Sequence, residues 1–316
     1  MFNLQDIHIE ISSKCTLKCP RCPRTELKPE QLNREITLHE FMTAFPPTML
    51  ANMKYFLFCG DVGDPIYATE FLEIIAYLKL NKIRVKIVTN GSYKSVDWWD
   101  RLGHMLTSDD TVTFSVDGWD QASNELYRVN SNFESIIAGI KSLRAASECR
   151  IIWSYIIFNF NEHHTREIKE VARGAGVDEF NEVYSTKFDG QYEVNGVDPL
   201  RPEIVINVPN YQKKKGALSA RGMVLDIRYQ KDAHSWAKCL NWKKEMFINV
   251  DGLVFPCPWF NSGYQQNDFV EKYRDRLSIK TRPLSDILAD PLWEEFLTRL
   301  ELFPLEVCSI KCRNDR

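Results

Sequence analysis

The sequence predicts an α/β protein: a parallel sheet or partial (β/α)6 barrel, followed by a small cysteine-bearing α+β unit. Two observations carry this prediction. Six strand-like runs alternate with helical stretches over about the first 185 residues, and four of the nine cysteines then fall in the last 78 residues. Six βα units favour a partial barrel because the common closed barrel needs eight.

The six strand-like runs are short and rich in β-branched and aromatic residues, which is typical of buried strands. Most are separated by a helical stretch, as a parallel sheet requires for its crossover connections. The runs are Ile7–Ile11, Tyr55–Phe58, Ile83–Val88, Thr111–Val116, Arg150–Phe158 and Asp178–Tyr184.

Helical spacing of apolar residues marks the intervals between these runs. Thr37 is predicted to cap a helix over Leu38–Phe45, with Glu40 completing a capping box. Pro46 and Pro47 should end that helix, because proline removes a backbone donor. The other predicted helices of this region are Thr69–Leu80, Phe133–Leu143 and Thr165–Ala175.

The alternation of strands and helices fails from about residue 186. We therefore predict a barrel over residues 1–185, a connector over 186–235 that is dotted with Gly and Pro, and a small domain over 236–316. Within this last domain, a hairpin is expected around Met246–Phe255, turning at Asp251–Gly252. A helix is expected near Leu284–Leu300.

Composition excludes several classes of protein. With 44% hydrophobic and 26% charged residues, the chain is neither generally disordered nor fibrous. The net charge is 40 − 43 = −3, so nothing favours nucleic acid as a partner. No apolar run reaches the roughly 18 residues that cross a membrane, and MFNLQDIHIE does not resemble a signal peptide. We expect a cytoplasmic protein without a membrane partner.

Three cysteines, Cys15, Cys19 and Cys22, crowd into eight residues directly after the first strand. In a reducing cytosol such a cluster favours metal binding over disulfides. A structural zinc site is closed by four ligands and a [4Fe–4S] cube also takes four, so three thiolates would leave one iron open. A zinc site completed by a distant residue remains the alternative.

The spacing CxxxCxxC in the loop after the first strand resembles the radical S-adenosylmethionine (SAM) superfamily. The resemblance implies that Cys15, Cys19 and Cys22 hold a [4Fe–4S] cluster whose fourth iron is chelated by SAM. One-electron reduction then cleaves SAM to methionine and a 5′-deoxyadenosyl radical. Arg21 stands where the family usually has an aromatic residue.

The resemblance continues at successive strand ends. CGDVGDP over residues 59–65 is similar to the family's GGEP-type turn, and TNG over 89–91, SVDG over 115–118 and YR over 127–128 follow in family order. Each alone also reads as an ordinary turn or loop. The resemblance implies SAM contacts from Gly63, Asp64, Pro65, Asn90, Ser115, Asp117, Arg128 and Asn159. In the family the Arg pairs with the SAM carboxylate.

The C-terminal cysteines Cys239, Cys257, Cys308 and Cys312 accompany the predicted hairpin and helix in the pattern Cx12GxxxxC…CxxxC. This arrangement resembles the twitch domain, the shortened form of the SPASM extension of radical SAM enzymes. The resemblance implies one auxiliary [4Fe–4S] cluster with four protein ligands, in an electron-transfer or structural role. A four-cysteine zinc knuckle is the alternative.

The resemblance implies a radical SAM enzyme of the oxidoreductase or peptide-modifying type, and we expect it to abstract hydrogen from a peptide or protein. The alternative is a dehydrogenase or epimerase acting on a sugar, an aminoglycoside or a nucleotide. A third hypothesis is that the protein binds metal without catalysing a reaction. A flavodoxin or ferredoxin is the expected electron donor. No catalytic acid, base or hydrogen donor is assigned; Cys59 and Cys149 are interpreted as buried apolar groups.

Overall fold

The structure is a computed structural model that describes residues 3–20, 22–184, 197–198, 201–206, 239, 244–261, 268–302 and 308. Ten strands are present in this part of the chain. They are β1 Asp6–Ile9, β2 Tyr55–Phe58, β3 Arg84–Thr89, β4 Thr111–Ser115, β5 Arg150–Ile157, β6 Glu179–Tyr184, β7 Val197–Asp198, β8 Arg201–Val205, β9 Glu245–Ile248 and β10 Val254–Phe255.

Ten α-helices accompany the strands over the same residues. They are α1 Leu38–Ala44, α2 Pro47–Leu50, α3 Phe71–Leu80, α4 Val96–Met105, α5 Gln121–Glu125, α6 Phe133–Ala146, α7 Thr165–Ala175, α8 Asp268–Leu277, α9 Leu284–Leu288 and α10 Leu292–Leu302. None of the described helices combines the length and apolar character needed to cross a membrane.

The main sheet has eight strands in the order β10-β9-β1-β2-β3-β4-β5-β6. Strands β1 to β6 are parallel and adjacent in chain order, which confirms the predicted α/β class and partial barrel. Ile9 lies opposite Phe58, and Phe58 lies opposite Ile87. Because the strands are in register, the residues that follow each of them gather at one edge of the sheet, as in other parallel α/β folds.

Alternate strand residues face the helices and form the core. Phe41 of α1 and Phe45, which directly follows the helix, pack against Phe56 of β2, with Phe45 and Phe56 ring centroids 4.9 Å apart. Phe41, Phe45, Phe56 and Phe58 are all fully buried. Burying aromatic side chains of this size supplies much of the driving force that holds α1 on the sheet.

Most predicted elements lie within one or two residues of their observed bounds. The capping box is confirmed: the Thr37 hydroxyl accepts from the Glu40 N–H at 3.2 Å, and the Glu40 carboxylate accepts from the Thr37 N–H at 2.8 Å. Helix α4 has no counterpart in the sequence-based prediction. The prediction of a single helix near Leu284–Leu300 was wrong. Two helices, α9 and α10, occupy this region, because Pro291 interrupts it.

The predicted hairpin around Met246–Phe255 is present as β9 and β10, turning at Gly252 with φ of 80°. Strand β9 also pairs in parallel with β1, with Met246 opposite Ile7. The hairpin therefore continues the barrel sheet at its β1 edge. The domain boundaries expected near residues 185 and 236 lie outside the described residues and stay predictions.

Candidate active site

The three N-terminal thiols gather around one small apolar cluster. Cys19 is only 8% exposed and packs with Leu17, Tyr127, Phe158 and Ile206, while Cys15 and Cys22 are half-buried against the same cluster. The loop is held internally, since the Cys22 N–H donates to the Cys19 carbonyl at 3.1 Å. Ile206 comes from the segment that the sequence predicted as a plain connector.

The chemistry of this pocket fits an iron–sulfur cluster. Burial raises the pKa of the Cys15 thiol to about 12 and that of the Cys19 thiol to about 11, so thiolates there require positive charge beside them. Within the described residues, no three His, Cys, Asp or Glu side chains converge on a single metal ion. Iron–sulfur clusters are held by cysteine thiolates, and three cysteines lie together in this pocket.

Asp64 ties the turn after β2 to the turn after β3. The carboxylate is buried and accepts from the Thr89 hydroxyl at 3.0 Å and from the Asn90 side-chain amide at 2.6 Å. Its other oxygen accepts from the Ile66 N–H at 3.2 Å, beside buried Pro65. Burial raises the pKa of Asp64 to about 6. Two predicted SAM-binding segments thus share one carboxylate.

Asn90 extends this link to the cluster loop. Its side-chain amide nitrogen lies 3.6 Å from the Cys15 sulfur as well as beside Asp64. The Asp64 N–H in turn donates to the Lys14 carbonyl at 2.9 Å. The CxxxCxxC loop, the GDP turn and the TNG turn therefore form one connected structure at the carboxyl end of the sheet.

Gly63 allows the turn after β2 to touch the start of the cluster loop. A Cβ at this position would lie 1.8 Å from the Ser12 carbonyl oxygen and 2.7 Å from the Ser13 Cα. This stretch of backbone is held by a hydrogen bond from the Ser13 N–H to the Arg34 carbonyl at 2.8 Å. Only glycine fits here without displacing backbone.

Tyr67 is a site residue that the sequence analysis missed. Its hydroxyl lies 3.0 Å from the Thr16 hydroxyl in the cluster loop and donates to the Ser92 carbonyl. It also lies 3.5 Å from the Asn90 side-chain oxygen. Burial raises the pKa of Tyr67, so the hydroxyl remains a donor. Its position two residues after Pro65 was the only hint in the sequence.

Glu10 is the second missed residue. It follows β1 and is 1% exposed, and its Oε1 accepts from the Val62 N–H at 2.7 Å. The Glu10 backbone N–H donates to the Ile248 carbonyl of β9 at 2.8 Å. Burial raises the pKa of Glu10 to about 7. Glu10 therefore joins the turn after β2, through its carboxyl, to the C-terminal hairpin, through its backbone.

Asp117 and Arg128 form a buried ion pair beside the cluster loop. The Asp117 carboxylate is inaccessible to solvent; one oxygen lies 2.5 Å from Arg128 Nε and the other accepts from the Ile156 N–H at 2.7 Å. Burial raises the pKa of the Cys19 thiol, and the positive charge of Arg128 partly opposes that rise. Ser115 ends β4 and is half-buried, and Asn159 lies two residues beyond β5.

The described C-terminal cysteines join the core of the barrel. Cys308 is 5% exposed, and Cys239 and Cys257 pack partly buried against the same cluster of side chains as the hairpin. Cys312 lies outside the described residues. Cys149, which lies between α6 and β5, is fully buried, whereas Cys59 is half-buried at the end of β2. The ligand set of the auxiliary centre stays a prediction.

Both the N-terminal and the C-terminal region of the chain match known protein families. The model of the Radical SAM superfamily matches residues 9–174, and the model of the SPASM iron-sulfur cluster-binding domain matches residues 239–313. A probable GTP 3′,8-cyclase of Methanococcus maripaludis is 20% identical over 261 residues, which cover 80% of this chain and 85% of that protein.

A second relative, from Pyrococcus furiosus, is named tungsten-containing aldehyde ferredoxin oxidoreductase cofactor-modifying protein. It is 20% identical and the match covers 94% of this chain and 85% of that protein. Among solved structures, Streptococcus suis SuiB has a TM-score of 0.58 at 14% identity, covering 93% of this chain and 68% of SuiB. The structure of anSMEcpe with bound AdoMet has a TM-score of 0.55 at 15% identity. The match covers 95% of this chain and 85% of anSMEcpe.

Proposed function

Since this chain belongs to the radical SAM superfamily, we propose that it abstracts a hydrogen atom from a peptide or protein substrate. It is a radical SAM enzyme with a SPASM domain, and its cofactors are a [4Fe–4S] cluster, SAM and an auxiliary iron–sulfur cluster. When bound, the first cluster and SAM supply the 5′-deoxyadenosyl radical. The protein contributes binding, orientation and exclusion of water.

The observation that carries the proposed SAM chemistry is the position of Asn90, whose amide contacts both the Cys15 sulfur and the Asp64 carboxylate. Cys15, Cys19 and Cys22 would hold the first cluster. Because the Asn90 amide bridges Cys15 and Asp64, a ligand that contacts the GDP turn would also lie beside the thiols. Such closeness suits a molecule that chelates an iron of the cluster through its own amino and carboxylate groups.

The proposed SAM contacts divide into two groups. The first group would bind the amino end of SAM and consists of Gly63, Asp64, Pro65 and Asn90. The turns that carry these residues offer a buried carboxyl and a closely approaching backbone. Ser115 and Asn159 would line the adenosine at the ends of β4 and β5. Asp117 and Arg128 would serve the carboxylate end, with Asp117 orienting the guanidinium.

The auxiliary cluster is proposed to be held by Cys239, Cys257, Cys308 and Cys312. Three of these thiols lie in the described residues and pack on the hydrophobic core that the barrel and hairpin share. With four protein ligands, the cluster would transfer electrons or stabilise the C-terminal region, because no iron would be open to substrate. A flavodoxin or ferredoxin is the proposed external reductant.

A peptide or protein substrate is supported by the structures with a similar fold. SuiB was solved with its precursor peptide SuiA, and anSMEcpe was solved with a Cp18Cys peptide. Both structures cover more than nine-tenths of this chain, including the C-terminal region. A peptide would enter at the carboxyl edge of the sheet, beside the cluster loop.

A small-molecule substrate is the second candidate, because the two curated sequence relatives are named a GTP cyclase and a cofactor-modifying protein. A dehydrogenase or epimerase acting on a sugar, an aminoglycoside or a nucleotide would use the same SAM site. The two candidates differ in the size of the substrate and in its sensitivity to protease.

Deuterium transfer separates the two candidates. Anaerobic enzyme with reconstituted clusters is incubated with SAM, reductant and extract from cells grown in fully deuterated medium, so that polypeptides and small metabolites both carry deuterium. The extract is divided into a polypeptide fraction and a small-metabolite fraction. Deuterium in 5′-deoxyadenosine from the polypeptide fraction, lost after protease treatment, supports the proposal. Transfer only from the small-metabolite fraction, or from GTP added alone in deuterated form, would favour the second candidate.

A further inference from the structure

We propose that His8 of β1 and the adjoining Glu10 are positioning residues for SAM, because their side chains hold the turn after β2 in the conformation that receives the amino end of SAM. This turn covers residues 60–65. The inference rests on the proposed function in requiring that the turn binds SAM. It goes further by assigning two residues that act through the turn and not through contact with SAM.

The Glu10 carboxyl holds the middle of the turn. Its Oε1 accepts from the Val62 N–H at 2.7 Å, and the residue is only 1% exposed. A Cβ at Gly60 would lie 3.1 Å from the same oxygen, so the turn wraps closely around the carboxyl. Because a buried N–H without an acceptor is costly, this hydrogen bond favours one conformation of the turn.

The His8 imidazole holds the residue that precedes the turn. Its Nε2 lies 3.0 Å from the Cys59 carbonyl oxygen. Since a carbonyl oxygen can only accept, Nε2 carries the proton and donates it to this hydrogen bond. The ring lies edge-on to Phe247 of β9, with the ring centroids 4.8 Å apart, so packing against the hairpin orients the imidazole.

Backbone contacts fix the same region from both sides. The Glu10 N–H donates to the Ile248 carbonyl of β9 at 2.8 Å, which holds Glu10 against the C-terminal hairpin. At the far end of the turn, the Asp64 N–H donates to the Lys14 carbonyl at 2.9 Å. The turn is therefore held at its beginning, middle and end by the segment that leads from β1 into the cluster loop.

Holding the turn in advance should strengthen SAM binding. A turn that is already in its binding conformation loses less conformational freedom when the ligand arrives. Gly63 and Asp64, two of the proposed SAM contacts, directly follow Val62, so a shift at the Val62 N–H moves both of them. Loss of either positioning side chain should weaken SAM binding even where the protein is folded and its cluster is complete.

The test measures SAM affinity by equilibrium dialysis on anaerobic protein with reconstituted clusters, together with iron content and thermal midpoint. Glu10→Met removes the acceptor and keeps a side chain of similar length, whereas Glu10→Gln keeps an oxygen that can accept from Val62. We expect Glu10→Met to weaken SAM binding about tenfold, the scale of one unsatisfied buried donor. Glu10→Gln should retain the original affinity.

His8 provides a second, independent pair of variants. His8→Phe keeps a ring against Phe247 but cannot donate to Cys59, so it should weaken SAM binding, whereas His8→Gln keeps a donor and should not. Asp178→Leu is the matched control. The Asp178 carboxylate accepts from the Ile151 N–H, also at 2.7 Å, but at the amino end of β5, so its loss should leave SAM affinity unchanged.

Original SAM affinity in either Glu10→Met or His8→Phe, with a complete cluster, overturns the inference. Equal weakening in Glu10→Met and Glu10→Gln also overturns it, because the lost acceptor would not be the cause. Asn90→Ala, measured in parallel, distinguishes the two kinds of failure. If Asn90→Ala weakens SAM binding and Glu10→Met does not, the inference alone fails. If neither variant does, the proposed SAM site itself is wrong.

Discussion

The Asp64 carboxylate accepts hydrogen bonds from both the backbone N–H and the side-chain amide of Asn90, each at 2.6 Å. The two residues follow neighbouring strands, β2 and β3, whose ends are aligned by the register of the sheet. Their pairing makes the GDP and TNG turns one unit, and the amide connects that unit to Cys15. One buried carboxyl therefore connects these two turns of the predicted SAM site with the cluster loop.

Asn90→Ala should weaken SAM binding by about 1.5–3 kcal/mol, because it removes a donor from a buried acceptor. Binding is measured by equilibrium dialysis on protein with a reconstituted cluster. Asn81→Ala is the control, since that side chain donates to the Tyr77 carbonyl at the end of α3, away from the site. SAM affinity equal in both variants, at equal iron content, would show that Asn90 lies outside the SAM site.

Gly63→Ala should prevent normal assembly of the first cluster. The added Cβ would meet the Ser12 carbonyl, so the turn or the cluster loop must shift, at about 1–3 kcal/mol of stability. Gly174→Ala is a matched control, because nothing lies within 4 Å of its Cβ and alanine favours the helix by up to about 1 kcal/mol. Iron content and thermal midpoint are measured together; normal values for Gly63→Ala would contradict the close contact.

Glu10→Gln should change how stability depends on pH. The pKa of Glu10 in the folded protein is raised to about 7, so ionisation costs free energy that grows as pH rises from the ordinary value of 4.5 toward 7. Between pH 5 and 8 the free energy of unfolding of the original protein should fall by about 2–3 kcal/mol relative to that of Glu10→Gln, because glutamine does not ionise.

The comparison is made by anaerobic urea unfolding at both pH values. Glu73→Gln, on the exposed face of α3, is the matched control and should follow the original protein. Asp61 is the acidic neighbour that also disfavours ionisation of Glu10. Parallel pH profiles for Glu10→Gln and the original protein would mean that Glu10 is not buried in its neutral form.

Cys308→Ala should remove about four irons per chain, the content of one cube, and lower solubility, because cluster binding contributes to folding of the C-terminal region. Substrate turnover should fall more than SAM affinity. Cys149→Ala, which alters another buried thiol outside the predicted ligand set, should keep all the iron. One zinc per chain, lost in Cys308→Ala, would instead show a structural zinc site.

The sequence was sufficient for features that depend on local pattern. β-Branched runs and helical spacing predicted the six strands of the partial barrel, and the Thr37 capping box is formed as expected. Cys15, Cys19 and Cys22 could be grouped because four- and three-residue spacings keep them in one loop. Turns following successive parallel strands meet at one edge, so Asp64 and Asn90 could be placed near each other.

Other features depend on tertiary contacts that no local pattern encodes. The pairing of β9 with β1 joins residues more than two hundred positions apart. Glu10 resembles an ordinary charged residue at a strand end, and only burial between the hairpin and the turn after β2 gives it a role. Arg128 matched a familiar YR motif, but its ion pair with buried Asp117 depends on how the loop after β4 packs in the folded protein.

The central claim is that Cys15, Cys19 and Cys22 hold the cluster at which SAM is cleaved. The most direct measurement is 5′-deoxyadenosine formation by reduced, cluster-reconstituted protein carrying Cys15→Ala, Cys19→Ala and Cys22→Ala together. We expect no product, while about four irons per chain remain at the auxiliary centre. Formation of 5′-deoxyadenosine at the original rate by this triple variant would contradict the claim.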